Sequence, residues 1–369
     1  MSKTRIHASI GLCACALNLI HLQGAECRGS QFQSWTSLSA WTQNTGPAAR
    51  EQVFTSQDIP SAIGFDELVV SWNVRTPAGT GLRIEAGGVY PAGPTRFYAL
   101  GLWSGSPSRF PRESVPGQKD ADAEVQTDTL VLARPCGIAR LRLTLVGDGT
   151  GLRPSVLFLG LSLLDTKSHS TPLPPNRAAW GTALPVPVRS QMHYPGGENS
   201  WCSPTSTSMV LAYWAKRLGR PGLDHDVPDV VQGVFDRNWP GTGNWPFNTA
   251  FAGSLPGLRA YVTRLTDVSE LEDWIAAGIP VVVSVSYDLL RGKPQSRAGD
   301  GHLVVCVGFT CEGNVLVNDP GVSKDNLRMF PRQDFTAGWA HSHNTVYLIY
   351  PEGVTAPIDR FQHWASSKP

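Results

Sequence analysis

The sequence predicts an α+β protein in two parts: an antiparallel β-sandwich or jelly roll over residues 31–165, then a mixed α and β domain over 185–350. Three observations predict it. Gly (37) and Pro (29) are plentiful while charged residues make up 17%, a balance that favours strands and turns over long exposed helices. Strand-length runs punctuated by turn residues fill the first part, and beyond residue 184 helical periodicity alternates with apolar strands. At 369 residues the chain has room for two domains of ordinary size, and its 41% hydrophobic content is that of a globular protein with a real core.

The elements follow in chain order. Lys3 and Arg5 precede an apolar run from Ile10 to Leu22 and a small-residue Gln-Gly-Ala, the layout of a secretory signal over 1–25 with cleavage near Ala25. Glu26 ahead of Cys27 departs from the lipid-anchor pattern, so no anchor is expected. No later stretch has the roughly 18 apolar residues of a membrane span, and a secreted or periplasmic protein is expected. Export leaves Cys27, Cys136, Cys202, Cys306 and Cys311, an odd set with one thiol left over; a Cys306–Cys311 disulfide is open, under tight geometric limits. The β half contains "ELVVSWNV", "LRIEAGGVY", "RFYALGLW", "TDTLVLA", "IARLRLTLV" and "SVLFLGLSLL". In the fifth run Arg140 and Arg142 alternate with Leu141, Leu143 and Leu145, as in a half-buried strand. Trp72, Phe97, Tyr98 and Trp103 are either sandwich core or a sugar-stacking platform, which makes a cell-envelope glycan an alternative partner for this half.

Residues 166–184, with Pro172, Pro174 and Pro175 and no periodicity, read as a linker. A helix is expected from Pro204 to Leu218, with Pro in its first turn and Gly219 beyond its end. Asp267 and Glu270 form a capping-box start for "VSELEDWIAA", and Gly278 stops it. "IPVVVSVSY" is a buried strand, "HLVVCVGF" and "NVLVND" a hairpin around "TCEG", and 351–369 a C-terminal tail. Lys plus Arg (31) balances Asp plus Glu (30), so nothing supports a nucleic-acid partner. No Cys/His spacing suits a closed zinc site and His193, His225, His341 and His343 read as surface or structural, so neither metal nor cofactor is expected.

Cys202 stands immediately before Ser203 and Pro204, at or next to the cap of the first helix. There the free backbone N–H groups and the helix dipole favour a thiolate. A nucleophilic cysteine needs a base and a group that orients the base. His302 opens an apolar strand after Gly299 and Gly301, two glycines that leave room for a substrate chain, and Asp319 ends the returning strand of the same hairpin. Gln191, eleven residues ahead of Cys202 in the sequence, offers an amide donor for an oxyanion.

The Gln ahead of a helix-opening Cys, the "GH" before an apolar strand, and the "NDP" resemble the papain-like cysteine peptidases related to the bacteriocin-processing, double-glycine leader peptidases, over about 185–350. The resemblance implies that Cys202 is the nucleophile, His302 the general base and acid, Asp319 the residue that orients His302, and Gln191 the oxyanion-hole side chain. Ser203 stands where that family commonly has Gly. No GxxxxGK[ST] run is present, so a leader-peptide exporter is not expected. The expected function is an exported cysteine peptidase acting on peptide or peptide-like amides. The alternatives are a non-catalytic or glycan-binding protein, and a cell-wall amidase or acyltransferase with the same thiol ester.

Overall fold

A computed structural model describes residues 29–169, 171–296 and 300–364. The expected signal over 1–25, Cys27 and Gly299 lie outside the described residues. The first half is antiparallel β throughout: ten strands share one hydrogen-bonded sheet whose spine is two long strands, Ile59–Arg75 and Thr129–Val146. Register shifts between Pro60 and Phe65 and between Phe65 and Glu67 bend the first of these, and such bulges let a single sheet curl over its own core. Trp72, Tyr98 and Trp103 are buried in that core. Phe97 is covered by the guanidinium groups of Arg140 and Arg142. Three of the four candidate platform rings therefore do not face solvent.

The second half is a seven-stranded antiparallel sheet with helices packed against it. Its central helix, Cys202–Leu218, is buried from Ser203 to Ala215, including a polar run that would be costly without partners. Ser203 Oγ bonds Tyr347 Oη at 2.9 Å, Ser206 Oγ donates to Leu303 O at 3.0 Å and Trp214 Nε1 donates to Ile349 O at 2.8 Å. These bonds fix the helix against Gly301–Phe309 and Thr345–Pro351. The capping box forms: Asp267 accepts from Ser269 and Glu270 N–H, and Glu270 reaches back to Thr266 N–H. The strand Val281–Ser286 is wholly buried, and Gly301–Phe309 pairs with Val315–Asn318 as the expected hairpin. Four α-helices among the described residues have no counterpart in the sequence reading: Val227–Val234, Trp245–Ser254, Tyr287–Leu290 and Arg332–Ala340; the first two carry Pro in the first turn and an Asp226 or Asn244 cap.

The halves are welded together. Strand Leu258–Arg264 is an edge of the second sheet, and side chains of the first half satisfy it: Asn73 Nδ2 donates to Ala260 O at 2.7 Å, Ala260 N–H returns to Asn73 Oδ1 at 3.1 Å, and Val262 N–H donates to Ser71 Oγ at 2.8 Å. Trp72 and Trp103 both pack on Phe247 of the second half. Part of the expected tail also folds onto this seam. His363 is 1% exposed between Ser30 Oγ at 3.0 Å and Thr263 Oγ1 at 2.9 Å, Arg360 forks onto Asp273, and Trp364 packs on Phe32, Tyr261 and Trp274. Cys136, Cys202, Cys306 and Cys311 are free thiols, and among the described residues no helix is long and apolar enough to cross a membrane.

Candidate active site

Cys202 is the first residue of its helix, behind Trp201 at the cap. Its thiol is partly exposed in a cleft of about 450 Å³ that Gln191, Glu198, Tyr287, Asp300 and His302 also line. The bond from Ser206 to the carbonyl of Leu303 ties the same helix to the residue after His302, which sets the distance between the thiol and the imidazole. Ser203 points inward to Tyr347 and is fully buried, so its side chain leaves the cleft clear.

His302 Nε2 lies 2.8 Å from Asp319 Oδ1, its ring lines the same cleft as Cys202, and the imidazole and the thiol are close enough to shift each other's protonation. With Nε2 on the carboxylate, Nδ1 is the ring nitrogen left for the thiol. Asp319 Oδ1 also accepts from Gly321 N–H at 2.8 Å, and its Oδ2 accepts from Tyr287 Oη at 2.9 Å. Main-chain bonds between Asp319 N–H and Asn326 O, with Asn326 Nδ2 on Asp319 O, hold the turn that carries it. A Cβ at Gly321 would sit 3.0 Å from His302 Cε1, so glycine is the residue that lets the turn pass this close to the imidazole.

The electrostatics favour an ion pair. Burial pushes the Cys202 thiol up, but the His302 hydrogen bond and charge, with the Leu303 and Ser203 N–H groups, outweigh it and bring it below its usual value. Burial alone would lower His302; its bonds to Asp319 and Cys202 raise it to about 9. Asp319 is lowered despite its burial by His302, Gly321 N–H and Tyr287. Tyr287, pushed up to about 12 by burial and by Asp319, stays a donor. The arrangement shifts Cys202 toward its thiolate and His302 toward its imidazolium, with His302 Nε2 on the Asp319 carboxylate.

Gln191 lines the cleft, yet its amide is already engaged. Nε2 donates to Gly197 O at 3.2 Å and Glu198 O at 2.9 Å, while the buried Oε1 has no partner among the described residues. Tyr287 is the member that the sequence reading missed. Its ring lies 4.4 Å from the His302 ring, centroid to centroid, and the Arg291 guanidinium stacks over it at 4.1 Å. The signal available was a tyrosine one residue past the strand that pairs with the His302 strand. His193, His225, His341 and His343 belong to no cluster of three or more His, Cys, Asp or Glu that would hold a metal among the described residues.

Residues 51–163 match the peptidase C39 N-terminal domain family, and residues 183–347 match the peptidase C39-like family. Uncharacterized proteins of Mycobacterium bovis and Mycobacterium tuberculosis are 27% identical over 86 residues, which covers 21% of this chain and 37% of theirs. The chain thus spans little more than a third of the length of these curated relatives. A solved structure described as a candidate C39-like peptidase of Bacillus anthracis is 20% identical, with a TM-score of 0.36, over 46% of this chain and 96% of that one.

Proposed function

This chain belongs to the C39-related, papain-like peptidases, and from that premise we propose that it is an exported cysteine peptidase that hydrolyses peptide or peptide-like amide bonds through a thiol ester on Cys202. The observation that carries the reading is Cys202 and His302 lining one cleft, with His302 Nε2 2.8 Å from Asp319 Oδ1. The Cys202 thiolate attacks the carbonyl carbon. The His302 imidazolium then gives its Nδ1 proton to the leaving amine as the C–N bond breaks. Water, deprotonated by the now neutral His302, attacks the thiol ester, and the carboxylic acid departs as the thiolate and imidazolium are restored. Asp319 holds the imidazole by Nε2, and Tyr287 holds Asp319.

The Cys202 backbone N–H at the helix start and Gln191 Nε2 are the oxyanion donors on this reading. Gln191 exchanges one of its bonds to the Gly197 and Glu198 carbonyls for the oxyanion, a charged and therefore stronger acceptor. Residues 185–350 form the catalytic unit and 31–165 a β-domain packed against it. Export rests on the Lys3, Arg5 and Ile10–Leu22 pattern, and N-terminal sequencing of the protein recovered from outside the cell tests it: a start near Glu26 is expected, and retention of Met1 would overturn it. The test of the activity is incubation of wild type and Cys202→Ala with a randomised peptide pool, with new termini read by mass spectrometry. New termini from wild type alone support the reading, and equal silence of the two proteins overturns it.

A further inference from the structure

A second cavity, of about 380 Å³, adjoins the Cys202 cleft and is walled by both halves of the molecule: Gln126, Thr127 and Glu67 from the first, Trp239, His341 and His343 from the second. Two features join it to the cleft. Gly301 borders both, and His341 of the second cavity lies 3.9 Å from Asp300 of the first.

The sill between them is unusually low for its backbone. Gly301 is an exposed strand residue paired with Ser286; its φ is not positive, and a Cβ there would meet nothing within 4 Å. Gly301 opens its strand where neither a positive φ nor a close contact requires glycine, and close approach of a ligand is one of the reasons a strand carries one. A side chain at 301 would stand in the passage. Beyond the sill, Trp239 is 45% exposed yet firmly placed. Its backbone N–H donates at 3.2 Å to Asp236 Oδ1, and that carboxylate, fully buried, also accepts from Ser114 N–H of the first half and from Asn244 Nδ2. Facing it, Thr127 turns the Ala123–Gln126 strand into Thr129–Val146 at φ 60°, a conformation that β-branched residues rarely adopt and that tends to occur at functional positions.

We infer that this cavity is a remote substrate subsite: a polypeptide bound at Cys202 continues over Gly301 and lays an apolar side chain on Trp239 against the Gln126–Thr129 turn. The β-domain is then part of the substrate groove. The inference rests on the thiol-hydrolase reading for its substrate class, since only a chain already in the Cys202 cleft arrives over this sill.

The experiment follows protection of Cys202 from iodoacetamide by randomised peptide pools of about four and about ten residues, the longer reaching roughly 33 Å when extended. Wild type, Trp239→Ala and Gly301→Val are compared. The longer pool should protect wild type at about tenfold lower concentration than the shorter, a difference of about 1.4 kcal/mol. Trp239→Ala should erase that advantage without changing protection by the shorter pool. Gly301→Val should erase it too while melting no lower than wild type, which shows that the glycine serves passage and not folding. Equal protection by the two pools, no protection by either, or a length advantage that survives Trp239→Ala overturns the subsite. Failure of the hydrolase reading shows separately, as slow alkylation of unprotected Cys202.

Discussion

At the scale of the residue, the site is a relay of proton positions set by local contacts. Tyr287 donates to Asp319 Oδ2, and Asp319 accepts from His302. Tyr287→Phe removes one donor from the carboxylate, so the Asp319 pKa rises. We expect kcat/KM on peptides to fall about tenfold, as for loss of a bond of about 1.4 kcal/mol to a charged group, with the acid limb of the pH profile moved to higher pH. A purely structural tyrosine would lower activity without moving the limb. The pair also contributes to stability in a defined window. The His302 pKa is raised to about 9, so its contribution is complete below its unfolded value near 6.5 and fades as pH rises through about 9. The Asp319 pKa is lowered, so its contribution is present above about 3.9 and is lost in acid. Thermal melts from pH 4 to 10 should show this decline on the alkaline side in wild type and lack it in His302→Ala. Cys202, His302 and Asp319 were legible because each sits at an element boundary with a local signature. Tyr287 was not, since its role depends on which strand end lands beside His302.

At the scale of the element, position depends on backbone approach. Gly321 allows the turn after Asp319 to lie against the imidazole, and Gly321→Ala would place a methyl group 3.0 Å from Cε1 and 3.2 Å from Asp319 Oδ1. The imidazole must yield by a few tenths of an ångström, and we expect kcat to drop about tenfold with KM and melting temperature nearly unchanged, given that a misplacement of about 1 Å can cost 10²-fold. Steady-state kinetics beside a thermal melt checks this. The capped helix, the buried strand and the hairpin were readable from caps, periodicity and turn residues. The helices at Val227–Val234 and Trp245–Ser254 were not: the first has an apolar face but at 8 residues is short, the second is apolar on most sides, and both have Pro-led starts that read as loops.

At the scale of the whole molecule, the boundary between the halves is a core and not a hinge. Asn73 satisfies both the N–H and the C=O of Ala260 on an edge strand, at a sequence separation of 187 residues. Asn73→Ala leaves both groups buried and unpaired, at about 1–3 kcal/mol each, and denaturant unfolding should show a loss of about 2–6 kcal/mol. The unfolding should stay a single transition, since the hydrophobic core is continuous across the halves; two separate transitions would contradict the weld. The sequence reading placed a strand at Trp72 and a tail at His363 without seeing that they meet the second half. Contacts such as Ser30 with His363, 333 residues apart, leave no local pattern.

The most direct measurement is the pH dependence of iodoacetamide alkylation at Cys202, with the exposed free thiol of Cys311 as internal reference. An ion pair with His302 predicts that Cys202 reacts at pH values below the ordinary thiol range near 8.5 and at lower pH than Cys311, and that His302→Ala moves the Cys202 profile to higher pH. A Cys202 profile that coincides with that of Cys311 in the wild-type protein would contradict the thiolate and with it the catalytic role of the site.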